Sequence, residues 1–225
     1  MSADSSCVLV FVKSPVAGQT KTRLAGSIGY NHAVNLYRCF VMDITKTISQ
    51  TPFQVVIFCH PPGSEIVLKD WLGDAFEYDA QTGADLGMKM ARAFKKVFDK
   101  QFDRAVLIGS DIPDLPEQMI HQAFLNLETH DAVVGPAYDG GFYLIGFRSD
   151  SFDNDIFDGI LWSRDTVFAQ MSERLSIYGL QTCLLPRWRD VDTYSDLKDL
   201  SDALLKLESF AGETLKYLKQ SALFS

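Results

Sequence analysis

Three cations stand close together near the start of the chain, Lys13, Lys21 and Arg23, within Lys13-Ser-Pro-Val-Ala-Gly-Gln-Thr-Lys21-Thr-Arg23-Leu24. The 225-residue chain carries a formal net charge of −8, so a local run of positive charge points to an anion held against the general field. The run follows Cys7-Val-Leu-Val-Phe-Val12, which is too short and too β-branched for a helix and apolar enough for a strand covered on both faces. A strand that empties into a basic loop is a common phosphate cradle, and Pro15 and Gly18 shape its backbone. The plainer reading is a solvated basic loop. Its position favours a site, because ligands of α/β folds gather at the carboxyl ends of strands. Two familiar phosphate loops are excluded: a Walker A loop needs Gly where Thr20 and Pro15 stand, and GxGxxG does not occur in the segment.

Carboxylates recur at similar positions. Asp111 comes just after the apolar run Arg104–Gly109, and an Asp at a strand terminus is a common Mg²⁺ ligand, since that ion takes one or two carboxylates and completes its shell with water and phosphate. Asp114, followed by Leu-Pro, reads better as a turn residue. Asp190 and Asp192 alternate by two, which puts both side chains on one side of an extended segment before Thr193 caps a helix. Asp139-Gly140-Gly141 is a turn that could simply close a hairpin, yet paired glycines also let a ligand approach the backbone. Gln81–Met90, with Gly83, Asp85 and Gly87 ahead of an apolar-periodic helix, is either a nucleotide-contacting loop or only a turn. Around Ser110 the GxSxG pattern fails, because Ile108 holds its first Gly position.

The elements that must position these residues follow from periodicity. Strands are expected at Cys7–Val12, Gln54–Cys59, Phe76–Asp79, Arg104–Gly109, Ala132–Gly135, Phe142–Ile145 and Gln181–Leu185. Helices are expected over Asn31–Gln50, from a Ser64 cap to Leu72, around Met90–Phe98, after Pro116, from a Ser163 cap, and after Thr193. Leu204, Leu205, Leu207, Phe210, Leu215 and Leu218 mark one or two terminal helices. The alternation of strands and helices predicts one α/β domain, with 7–200 as its core and 201–225 as C-terminal helices.

Composition narrows the function. The acidic balance opposes binding to nucleic acid, and no apolar run is long enough for a membrane span. The start of the chain lacks the basic region of a secretory signal, so a cytoplasmic protein is expected. Cys7, Cys39, Cys59 and Cys183 form no CxxC pair and read as reduced core residues, while the four histidines show no HExxH spacing.

Taken together, the Lys-Ser-Pro opening, Ile-Gly-Ser-Asp111-Ile-Pro, Tyr-Asp139-Gly-Gly-Phe-Tyr-Leu-Ile-Gly and Asp190-Val-Asp192-Thr resemble the bacterial glycosyltransferase-like family of the nucleotide-diphospho-sugar transferase (GT-A) superfamily. More distantly, the same motifs resemble those of 2-phospholactate guanylyltransferase and the molybdenum-cofactor nucleotidyltransferases. The resemblance spans about Val8 to Leu197. It implies a three-layer α/β/α fold with a mixed, mainly parallel sheet, and an enzyme that moves a nucleotidyl or glycosyl group from a nucleoside triphosphate or nucleotide sugar to a small-molecule acceptor. It further implies Mg²⁺ (or Mn²⁺) on Asp111 and Asp192, phosphates on Lys13, Lys21 and Arg23, nucleotide contacts from Gly18, Gly83, Asp85 and Gly87, and an acceptor wall of Asp139, Gly140 and Gly141. In such chemistry Lys21 and Arg23 would stabilise a diphosphate leaving group, and Asp139 would be the carboxylate base of a glycosyl transfer. The Gly-rich opening of the better-known nucleotidyltransferases is replaced by Ser14-Pro15-Val16. A non-catalytic nucleotide-sensing domain is the rival reading, and it predicts Asp111 and Asp192 too far apart to share a cation, or pointing into packing.

Overall fold

In the computed structural model, which describes residues 5–206, 212–221 and 223, seven strands form one sheet in the order β3-β2-β1-β4-β6-β5-β7. They are β1 (Ser6–Lys13), β2 (Gln54–His60), β3 (Glu77–Ala80), β4 (Arg104–Gly109), β5 (Ala132–Pro136), β6 (Phe142–Arg148) and β7 (Thr182–Leu184). Strand β6 runs antiparallel to both its neighbours, and the other pairings are parallel. This is the mixed, mainly parallel three-layer α/β/α architecture expected from the sequence.

The helices are α1 (Thr22–Ile28), α2 (Tyr30–Ser49), α3 (Glu65–Leu72), α4 (Leu86–Asp99), α5 (Glu117–Asn126), α6 (Val167–Ile177), α7 (Tyr194–Lys206) and α8 (Glu213–Gln220). Alternation along β1 divides the core. Val8, Val10 and Val12 pack with Tyr37, Val41 and Ile44 of α2 and with Ile120 and Phe124 of α5. Cys7 and Leu9 face the other way, towards Met90, Phe94 and Val97 of α4 and Met171 of α6. A third cluster joins Leu24 of α1, Leu36 and Phe40 of α2, Leu200 and Leu204 of α7, and Leu215 and Leu218 of α8. The amphipathic α2 is thus covered on two sides.

Several local expectations are corrected. Helix α1 interrupts the stretch read as loop; it is a single short segment whose buried residues are only Leu24 and Ala25, too few for periodicity to register. Ser64 does sit before α3, but its hydroxyl donates to the Pro61 carbonyl at 2.6 Å instead of accepting from a helix amide. Ser163 caps nothing: it adopts φ 65°, and α6 begins only after Thr166. Thr193 does cap α7, because its hydroxyl accepts from the Asp196 amide while Asp196 Oδ2 accepts from the Thr193 amide at 2.7 Å, a reciprocal capping box. Leu207 and Phe210 lie outside the described residues. Cys7 and Cys59 are buried and unpaired, and burial pushes both thiols up to about 12, consistent with inert core residues.

Candidate active site

The chain leaves β1 towards β2 and β3 on one side and returns to β4 on the other, so a crevice opens at the carboxyl ends of β1 and β4. Tyr37 of α2 fixes its floor. Its hydroxyl accepts from the Lys13 amide at 2.8 Å and shares a 3.0 Å hydrogen bond with Ser110 Oγ, which ties the two strand ends together. The loop after β1 is held from within: Thr20 Oγ1 donates to the Ser14 carbonyl at 3.1 Å, and the Ser14 amide donates to the His60 carbonyl at 2.7 Å. Lys21 then takes a left-handed conformation, φ 53°, and turns its side chain inward.

There it meets both carboxylates. Lys21 Nζ lies 2.9 Å from Asp111 Oδ2 and 2.6 Å from Asp192 Oδ1, and its side chain is only 3% exposed. The third chain segment is drawn in by the backbone, since the Val191 amide donates to the Asp111 carbonyl at 3.0 Å. Burial alone would push the Lys21 ammonium down, but the two carboxylates more than offset it, and its pKa is raised. Burial likewise opposes ionisation of Asp192, yet Lys21, Arg23 and Lys13 outweigh it and hold the carboxyl below its usual value. Arg23 stays mostly in solvent, 72% exposed, with Nη1 4.0 Å from Asp192 Oδ2.

Two lobes meet at this triad. The first, about 370 Å³, is lined by Lys13, Lys21 and Arg23 together with Phe11, Gln81, Leu86 and Met90. The second, about 510 Å³, is lined by Asp139, Gly141, Trp162, Arg164, Asp165 and Asp190. Arg23, Asp111, Phe142, Tyr143 and Asp192 border both. As the two-residue spacing required, Asp190 and Asp192 share the crevice side while Val191 between them is fully buried. Asp190 is pushed up to about 6, first by burial and then by the Asp139 and Asp192 carboxylates.

The crevice thus gathers Lys13, Lys21, Arg23, Asp111, Asp139, Gly141 and Asp192. Gly18, Gly83, Asp85, Gly87 and Gly140 do not line either lobe. Asp85 caps α4, accepting from the Met88 amide at 2.8 Å. Gly87 leaves room for Trp162, whose Cζ2 would stand 2.7 Å from an added Cβ, and Gly140 at φ 90° lets the Asp165 carbonyl come against its backbone. The Asp139 turn is the hairpin between β5 and β6 as well as part of the second lobe. Motif reading included Gln81 only as the first residue of the candidate nucleotide-contacting loop Gln81–Met90 and gave Trp162 no role in the site. Asp190 was signalled by the alternation of acids at 190 and 192.

Asp111 Oδ1 is buried and has no hydrogen-bond partner among the described residues, and Asp192 stands across the same ammonium. Two carboxylates beside a lobe lined by Lys13 and Arg23 fit Mg²⁺, although Lys21 fills the space between the nearer oxygens. Among the described residues no group of three or more His, Cys, Asp or Glu side chains could hold a metal, so a cation here would draw further ligands from its substrate.

Residues 43–164 match the family described as uncharacterized proteins conserved in bacteria, DUF2064. The chain belongs to this family. A candidate nucleotide-diphospho-sugar transferase of Desulfovibrio desulfuricans G20 is 42% identical, with a TM-score of 0.93 over 98% of this chain and 96% of that one. A cytidylyltransferase of Leptospira borgpetersenii shares the fold at 14% identity, TM-score 0.56, over 98% and 96% of the two chains. So does 4-diphosphocytidyl-2C-methyl-D-erythritol synthase of Anaerococcus prevotii DSM 20548, at 9% identity, TM-score 0.60, over 91% and 100%. No curated protein matches the chain. Among the described residues, no helix of this DUF2064 protein is long and apolar enough to cross a membrane.

Proposed function

We propose that this DUF2064 chain is a cytoplasmic, Mg²⁺-dependent transferase that moves a nucleotidyl or glycosyl group from an activated nucleotide to a small acceptor. The observation that carries the reading is the pair of lobes meeting at Lys21, Asp111 and Asp192: a cationic and apolar one suited to a nucleotide, and a carboxylate-rich one with an indole wall suited to an uncharged, hydroxylated acceptor. The description of the 42%-identical Desulfovibrio protein supports the same class.

In nucleotidyl transfer an acceptor oxygen bonds to the α-phosphorus and the bond to pyrophosphate breaks. In glycosyl transfer the acceptor bonds to the anomeric carbon and the bond to the nucleoside diphosphate breaks. Either way, negative charge grows on a diphosphate, and Lys13 and Arg23 are the cations with hydrogens free to meet it. Asp139, whose Oδ1 is oriented by the Gly141 amide at 2.8 Å, takes the acceptor proton. Asp111 and Asp192 would hold the divalent ion, which when bound supplies charge neutralisation at the phosphates. Lys21 keeps the two carboxylates together in its absence.

A sensing domain that has lost the reaction would leave those acids apart or turned into packing; that both contact one ammonium supports the transferase reading. The test is a thermal-shift panel of nucleoside triphosphates and nucleotide sugars with and without Mg²⁺, because a ligand bound only by the native state raises the melting temperature. Asp111→Asn should lose the Mg²⁺-dependent part of the shift. A variant responding like its parent would remove the metal assignment, and a parent that shifts with no nucleotide would remove the function. Release of pyrophosphate or of nucleoside diphosphate then decides which group moves.

A further inference from the structure

Lys21 stands where the divalent ion would bind. Its Nζ lies 2.9 Å from Asp111 Oδ2 and 2.6 Å from Asp192 Oδ1, and a metal bonded to the same two oxygens would sit about 2.1 Å from each, in the space that the ammonium fills. A metal on the other oxygens would still press its charge against the ammonium's. One cation must therefore leave for the other to bind. The ammonium does not saturate the acids, since Asp111 Oδ1 is buried and has no hydrogen-bond partner among the described residues.

Lys21 does not leave freely. Its side chain is 3% exposed, and a buried ammonium stripped of its anions is strongly destabilised. Among the described residues that line the first lobe, Asp111 and Asp192 are the only carboxylates, and the other charged groups are the cations Lys13 and Arg23. A replacement anion must come from outside the chain. Resting on the nucleotide reading above, we propose that Lys21 competes with the divalent ion for Asp111 and Asp192 and releases them only when the phosphates of a nucleotide take its ammonium. The flexible four-carbon stem lets the ammonium swing into the lobe that Lys13 and Arg23 line, while the left-handed backbone at Lys21 keeps its place. Metal and nucleotide then bind as a pair, each raising the affinity of the other, and metal arriving alone is refused. Once the diphosphate product departs, Lys21 reclaims the two acids and expels the ion.

The test titrates Mn²⁺, followed by the electron paramagnetic resonance of the free ion, into the full-length parent, Lys21→Met, and Lys21→Met combined with Asp111→Asn. Methionine keeps an apolar stem and removes the charge. Without nucleotide, Lys21→Met should bind Mn²⁺ at least about tenfold more tightly than the parent, and the added Asp111→Asn should abolish that gain. Equal affinity in parent and Lys21→Met would overturn the proposal and leave the transferase reading intact. The titrations are repeated with the nucleotide that raises the melting temperature most, and the Mn²⁺ that this nucleotide binds in solution is subtracted. The nucleotide should raise the Mn²⁺ affinity of the parent by a larger factor than that of Lys21→Met, and equal factors would overturn the release step. If Lys21→Met does not fold, the parent still decides: Mn²⁺ bound without nucleotide and lost in Asp111→Asn refutes the proposal, whereas binding at Asp111 that requires nucleotide sustains it. A parent that binds no nucleotide refutes the transferase reading and this inference together.

Discussion

Lys21 is the residue on which the candidate site turns. A lysine loses several kcal/mol of hydration when buried, and only close anions restore it, so Asp111 and Asp192 hold the ammonium as much as it holds them. Each carboxylate remains partly in water, which tempers the effect of losing one. Asp111→Ala or Asp192→Ala should each lower stability by about 1–2 kcal/mol, because the remaining partner still satisfies the cation. The double variant should lose at least about 1 kcal/mol more than the sum, since the ammonium is then stranded; urea unfolding of the four proteins measures it. Additive losses would mean that Lys21 finds another outlet. The three charges were singled out in the sequence, and the fold brings them together. Their mutual pairing was not legible there, because a left-handed backbone at Lys21 is what turns the side chain inward, and no propensity rule places a lysine there.

At the scale of elements, the central strands were legible as short apolar runs and the long helices as repeats of three and four, whereas the edge strand β3, Glu77-Tyr-Asp-Ala80, carries two acids and has no such signal. What escaped were features set by contacts distant in sequence. Ser64 and Ser163 looked like caps by type, but the first found the Pro61 carbonyl and the second a left-handed turn. Gly87 and Gly140 looked like ligand-facing glycines, and each instead admits another part of the chain, Trp162 and Asp165. Gly140→Ala and Gly159→Ala separate these effects. Both glycines have positive φ, but nothing lies within 4 Å of a Cβ added at Gly159, so that change should cost only the backbone strain of about 1 kcal/mol. Gly140→Ala adds a collision with backbone and should cost at least about twice as much in chemical denaturation, while disturbing the second lobe. Similar losses at both positions would show that the Asp165 loop moves aside freely.

At the scale of the whole molecule, the C-terminal helices brace the basic loop. α7 and α8 complete the apolar cluster around Leu24 and Leu36, and so stabilise the short α1 that follows Lys21. Asp43 of α2 fastens α8 by accepting from the Glu213 amide at 2.7 Å and the Thr214 amide at 2.8 Å. Burial raises its pKa despite those amides, so its contribution is fully present below the unfolded pKa and is lost as pH rises through the folded one. Asp43→Ala should therefore lower stability by about 1 kcal/mol, with a larger deficit at pH 4 than at pH 8 in parallel urea titrations. A deficit that grows with pH would show the amides outweighing burial.

The reversed direction of β6 has a consequence of its own. Because that strand alone starts at the rim where β1 and β4 finish, the hairpin before it supplies one wall of the second lobe, and the excursion that follows its far end returns through Trp162 to Asp165 to complete the enclosure. The first lobe takes Phe142 and Tyr143 from β6 beside residues of the parallel strands, and Trp162 of the excursion packs against both Phe142 and Gly87 at the head of α4. Ile156, Phe157 and Ile160 of that excursion are buried in the same core cluster as Phe94 of α4, so a change of length between 149 and 161 would be felt in the core as well as at the second lobe, and the two lobes are mechanically joined.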